Sequence, residues 1–241
     1  MQFKRKPRTH GKFFRFILKT VRFFKRKHII INENDSFENQ AIFISNHSGI
    51  SGPMNLLLYF PAYFVPWGAH PMVGKYRERY RYMYYVFYQK KLKYSKFKSF
   101  ILASFLSIFS KMVYKGMRLI PTYEDIRLHH TFRLSMQHLD FGEPILIFPE
   151  DSNDGYLDVL DRYNPGFVAL SEFYYKRRQI DLPIYPIYFH KKGKAIKIGK
   201  PYYIQELLAE GKSREEILIF FRDLANEMGQ QLQKMADKNR I

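Results

Sequence analysis

Short, fully apolar runs recur along this chain and alternate with stretches of helical periodicity. Ala41-Ile42-Phe43-Ile44-Ser45, Pro144-Ile145-Leu146-Ile147-Phe148 and the segment Leu182 to Phe189 carry apolar side chains at successive positions. A strand with one solvated face alternates apolar and polar residues, whereas a strand covered on both faces does not. Gly116 to Pro121 and Ala195 to Ile198 read as further strands, with a Lys/Gly turn at Lys191–Lys194 before the last. Helices are predicted over 125–140 and over 164–179, with Pro165 near the start of the second. Ser213-Arg214-Glu215-Glu216 is a capping box opening a last helix, whose Ile217, Phe221, Leu224, Met228 and Leu232 share one face. Strands buried on both faces and separated by helices define an α/β domain with a mixed, mainly parallel sheet flanked by helices.

The sheet pattern begins near residue 41, and what precedes it differs in kind. Residues 12–26 read as an amphipathic helix, with Phe13, Phe16, Ile17, Val21 and Phe24 on one face and Arg15, Lys19, Arg22 and Arg26 on the other. Such a helix suits the boundary between acyl chains and lipid phosphates. Residues 1–27 are therefore expected to form a basic interfacial helix, and 28–241 the α/β domain. Lys and Arg number 40 against 22 Asp and Glu, a formal charge of +18, so an anionic partner surface is expected. Aromatic residues make up 18% of the chain, and the combination of basic and aromatic residues fits a membrane interface. The chain lacks cysteine, which excludes disulfides and thiolate metal sites.

From Asn39 to Gly74 there is no Asp, Glu, Lys or Arg, and four prolines interrupt the stretch. It reads either as core or as the wall of a lipid-facing groove. Residues 75–98 then interleave tyrosines with lysines and arginines, and 99–110 form an uncharged, helix-like run too short to cross a bilayer. No run of about 20 apolar residues is present, so peripheral or monotopic attachment to the cytoplasmic face of a membrane is expected.

The residues with chemistry stand at the ends of two strands. Asn46-His47 follows Ser45, and Phe148-Pro149-Glu150-Asp151-Ser152-Asn153 follows Ile147. Open α/β sheets place their ligands at the carboxyl ends of strands. A histidine there can take the proton of an attacking hydroxyl, because its ordinary pKa lies near neutrality. Such a base usually has a partner on its other ring nitrogen.

In order and spacing these segments resemble the four blocks of the glycerol-3-phosphate and lysophosphatidate acyltransferases, over roughly residues 40–205. The first block is Asn46-His47-Ser48-Gly49-Ile50-Ser51-Gly52-Pro53, the second Ile120-Pro121-Thr122-Tyr123-Glu124 and the third Phe148-Pro149-Glu150-Asp151-Ser152-Asn153-Asp154. The fourth is Leu182-Pro183-Ile184-Tyr185-Pro186, followed by Gly199-Lys200-Pro201. The resemblance implies acyl transfer from acyl-CoA or acyl carrier protein to a hydroxyl of a glycerolipid-like acceptor among membrane lipids. His47 would be the base. Asn46, Ser48, Ile120, Pro121, Glu124, Phe148, Pro149, Glu150, Asp151 and Asn153 would form the substrate site. No metal and no organic cofactor are implied.

Three positions depart from that family. Gly52 stands where it places the carboxylate that orients the histidine, and Glu124 and Asn153 stand where it places two phosphate-clamping arginines. Asp151, Asp154 or Glu150 are candidates to replace the carboxylate, and Arg118, Arg127 or Arg133 to supply the missing positive charge. The departures point to an acceptor other than a simple lysophosphatidate. They also leave open a membrane-surface binding or scaffolding module that no longer turns over. Two other classes fit less well. The segment 75–98 has the charge of a nucleic-acid binder but no recognition signature, so no specific nucleic-acid partner is expected. The histidines lack paired metal-ligand spacing, with His129 and His130 adjacent on a helix.

Overall fold

The computed structural model describes residues 10–25, 27–152 and 155–238. Asn153 and Asp154, and the first nine residues of the expected interfacial segment together with Arg26, lie outside them.

The runs that are apolar at successive positions become the centre of one sheet. In chain order the strands are β1 (Ile29–Asn32), β2 (Ile42–Ser45), β3 (Val65–Ala69), β4 (Ile120–Thr122), β5 (Ile145–Ile147), β6 (Pro183–His190), β7 (Ala195–Ile198) and β8 (Tyr202–Tyr203). Their spatial order is β1-β7-β6-β2-β5-β3-β4, and β8 pairs with β6 off this path. Only β6 with β7 and β6 with β8 run antiparallel; the other pairs are parallel. At the centre, Ile42 lies opposite Ile145 on one side and Ile184 on the other.

The described residues form eight α-helices: α1 (Lys12–Phe24), α2 (Ser51–Tyr59), α3 (Tyr76–Arg81), α4 (Lys96–Met117), α5 (Leu128–Asp140), α6 (Gly166–Arg178), α7 (Ile204–Ala209) and α8 (Arg214–Lys238). Strand periodicity assigns the faces. Ile42 and Ile44 of β2 point into one core with Leu139 of α5, Phe167 and Leu170 of α6, and Phe221 and Met228 of α8. Ala41 and Phe43, one position out of phase, point into a second core with Leu56, Leu58 and Tyr59 of α2 and with Leu18 and Val21 of α1. Ser213 begins α8 as the capping box requires: its hydroxyl accepts from the Glu216 backbone N–H, and the Glu216 carboxylate accepts from the Ser213 N–H at 2.7 Å.

Three elements depart from the sequence reading. The expected strand at 116–121 is short, because Gly116 and Met117 stay in α4 and Arg118 ends the helix with a φ of 58°. The uncharged run at 99–110 is the middle of a longer helix: Ser95 caps α4 by accepting from the Lys98 N–H, and lysines extend both ends. The apolar face expected for α1 is split, with Phe13, Phe16 and Phe24 exposed and Val21 packed on the domain, where Phe14 and Leu18, left off that face by the sequence reading, join it. Between α3 and α4, residues Tyr82–Lys91 form a π-helix, a rare conformation.

Candidate active site

Parallel β2 and β5 end on the same edge of the sheet, which brings Asn46-His47 and Phe148-Pro149-Glu150 together. Asn46 is buried, and its side-chain amide makes both bonds to one residue of β6: Nδ2 donates to the Phe189 carbonyl at 3.1 Å, and Oδ1 accepts the Phe189 N–H at 2.8 Å. These bonds lock the exit of β2 to β6, so Asn46 positions the histidine turn. Ser48 and Gly49 follow with φ of 45° and 64°, turning the chain sharply beneath the His47 ring.

Glu150 holds this turn through the backbone. Its Oε2 accepts the His47 N–H at 2.9 Å, and its Oε1 accepts the Leu157 N–H at 3.4 Å. Burial pushes the Glu150 carboxyl up, opposed in part by those two bonds and by the charge of Lys91. The segment is braced on its far side, where the Pro149 carbonyl accepts from the Asn164 N–H at 2.7 Å and the Asp151 N–H donates to the Arg162 carbonyl at 3.1 Å.

The His47 ring lies between aromatic residues. Tyr156 stacks on it at 4.6 Å with an interplanar angle of 14°, and Phe148 meets it edge-on at 4.9 Å. Burial, reinforced by the positive charge of Lys91, lowers its pKa to about 3, while the Gly49 backbone opposes the shift weakly. Nδ1 is buried and has no hydrogen-bond partner among the described residues. Glu150 therefore does not act as a relay carboxylate; its oxygens serve backbone N–H groups.

Gly52 has no side chain to orient the imidazole and no room for one. A Cβ at this position would lie 2.1 Å from the His47 carbonyl oxygen. The chain is drawn in tightly here, and the Asp that the sequence resemblance would place at this position would not fit on this backbone.

The cation of the site is Lys91, the last residue of the π-helix, which the sequence reading placed within a general basic stretch. Its Nζ donates to Ser152 Oγ at 2.7 Å and lies 6.0 Å from the Tyr156 ring centre. Burial lowers its pKa, and the charges of Glu124, Asp151 and Glu150 resist that shift. One lysine thus couples the residues after β4, the residues after β5 and His47. The arginines proposed from sequence are engaged elsewhere. Arg118 binds Glu143 at 2.6 Å at the amino end of β5, Arg127 binds Asp125 at 2.6 Å, and Arg133 contacts His130 at 3.0 Å.

Two other expected residues serve the fold. Ile120 is buried in the main core, and the Pro121 carbonyl accepts from Thr131 Oγ1 at 2.7 Å, fixing α5 to β4.

The architecture has a counterpart of known activity. The crystal structure of the 1-acyl-sn-glycerophosphate acyltransferase PlsC from Thermotoga maritima superposes with a TM-score of 0.52, over 94% of this chain and 83% of that one. The fold is acyltransferase-like. Sequence identity is 13%, so the likeness extends to the mixed sheet and its flanking helices and not to chemistry. No family model matches the chain, and no curated protein matches it in sequence.

Proposed function

We propose that this protein moves a fatty acyl group from acyl-CoA or acyl carrier protein to a hydroxyl of a glycerolipid-like acceptor at a membrane surface, with His47 as general base. The observation that carries this reading is the placement of His47. It is neutral, stands at the carboxyl end of β2, and has its backbone held by Glu150 of the adjoining Phe148-Pro149-Glu150 turn.

The chemistry follows from that placement. The acceptor oxygen attacks the thioester carbonyl carbon as the imidazole takes its proton. The tetrahedral intermediate then collapses, breaking the carbon–sulfur bond, and the departing thiolate takes the proton back from the imidazolium. The products are an ester and a free thiol. An imidazolium beside Lys91 with no carboxylate partner is costly, so the step is slow compared with a complete triad. Turnover requires Tyr156, stacked on the ring at 4.6 Å, to move aside for the acceptor, and rehydration of the exposed imidazole would raise its pKa. Lys91 supplies the positive charge that arginines give the related enzymes, as a point charge in place of a planar fork.

A second reading, a lipid-surface binding module without turnover, is favoured by the orphaned Nδ1 and by the closed position at Gly52. One experiment separates the two. Purified protein in detergent micelles is given labelled acyl-CoA or acyl carrier protein with a mixture of lysophospholipids and neutral monoacylglycerols. The first reading predicts a labelled ester, and no ester with either donor leaves the second. With turnover established, Lys91→Met should move preference from anionic toward neutral acceptors; an unchanged preference removes Lys91 from the acceptor site.

A further inference from the structure

Helix α4 is built inside out. Its buried face is Ser99, Ala103, Ser107 and Ser110, while Phe97, Ile101, Phe105, Ile108 and Met112 stand outward, Phe97 at 75% and Phe105 at 61% exposure. At 100° per residue those five cluster on one side of the axis, opposite the serines. A surface helix of a water-facing domain shows the reverse arrangement. The outward face is also bracketed by charge, with Lys96 and Lys98 exposed at its start and Lys111 and Lys115 toward its end.

Length and hydropathy alone would let this helix, about 33 Å long at 1.5 Å per residue, cross a bilayer. Its attachments do not. Its serine face is packed on α3 and the π-helix, where buried Arg79 donates through Nε to the Ser107 carbonyl at 3.2 Å and Ser107 Oγ donates to Met83 Sδ at 3.3 Å. Those partners expose Arg77, Glu78, Arg81 and Lys90, charges that are expensive in hydrocarbon. The carboxyl end of α4 is tied down as well. The Phe14 ring occupies the space of a Gly116 side chain, 2.5 Å from where its Cβ would be, and the chain continues into β4.

We infer that the outward face of α4 lies in one leaflet of an anionic membrane, parallel to its plane, and is a membrane anchor of this protein distinct from α1. This deepens the membrane reading above and rests on it. Charge selects the occupant. The lysines that frame the face, on a chain of net charge +18, oppose a second copy and attract acidic headgroups. The apolar side chains between them would enter the acyl boundary while the lysines reach the phosphates.

The test uses full-length protein and vesicles of equal parts phosphatidylcholine and phosphatidylglycerol. A Phe105→Trp reporter is read against Trp67, the chain's single tryptophan, which is held by Ser135 at 2.9 Å and stacked on Phe132. Vesicle binding should shift the reporter's emission to the blue, and brominated acyl chains should quench it. Phe105→Glu with Ile108→Glu should weaken flotation with vesicles by about tenfold or more, with an unchanged circular dichroism spectrum. Flotation without quenching would overturn the α4 assignment and leave the membrane reading intact. Absence of wild-type flotation would overturn both, without touching the acyl-transfer assay in micelles. A wild-type dimer that the double variant converts to monomer would show that a second copy covers the face, and would overturn the proposal.

Discussion

His47 concentrates the tension in this molecule, because its position suits a base and its surroundings do not assist one. With a pKa of about 3 the ring stays neutral through physiological pH. Its proton signals in NMR should therefore not titrate between about pH 5 and 8, and a midpoint near the ordinary value of about 6.5 would contradict the packing described. The linkage has a definite sign. The unfolded chain protonates this histidine below about 6.5 and the folded chain does not, so its contribution to stability is complete above that pH and is lost as pH falls toward about 3. His47→Gln should flatten the pH dependence of the urea midpoint in that window. Gly52→Asp gives a second result that sequence comparison alone would reverse. An Asp at this position should not raise activity, since its Cβ meets the His47 carbonyl at 2.1 Å. It should instead lower stability by about 1–3 kcal/mol through backbone displacement, measured by chemical denaturation.

Elements, more than single residues, decide what can be read from such a chain. The central strands were legible because they are buried on both faces, and the start of α8 because its capping box is local. The joining of the His47 and Phe148-Pro149-Glu150 segments follows from parallel β2 and β5. Lys91 was not legible, because a π-helix sets its position and no periodicity in the Tyr/Lys/Arg stretch marks that geometry. Tyr156 was missed because it sits in a loop, where stacking on His47 depends on contacts distant in sequence. The same holds where the elements meet at the amino end of β5. Arg118 binds Glu143 at 2.6 Å and Tyr63 at 3.0 Å, and Glu143, fully buried, also takes His138 at 2.6 Å. Arg118→Ala would leave that carboxylate buried without its guanidinium partner. A loss of about 3–5 kcal/mol is expected from denaturant titration, against well under 1 for an exposed pair such as Arg162–Asp161.

At the scale of the whole molecule, an acyltransferase-like sheet holds one histidine in place by a backbone bond to Glu150 and by aromatic stacking. The sequence departures at Gly52 and Glu124 are parts of that arrangement: one closes the relay position, and the other faces the field of Lys91. The function proposed above rests on proton transfer by His47. The most direct measurement is the rate of labelled ester formation by wild type and by His47→Ala, with the fold of each checked by circular dichroism. A wild-type rate above background and a fall of about a hundredfold or more in the variant are expected. Equal rates in the two proteins would contradict that function.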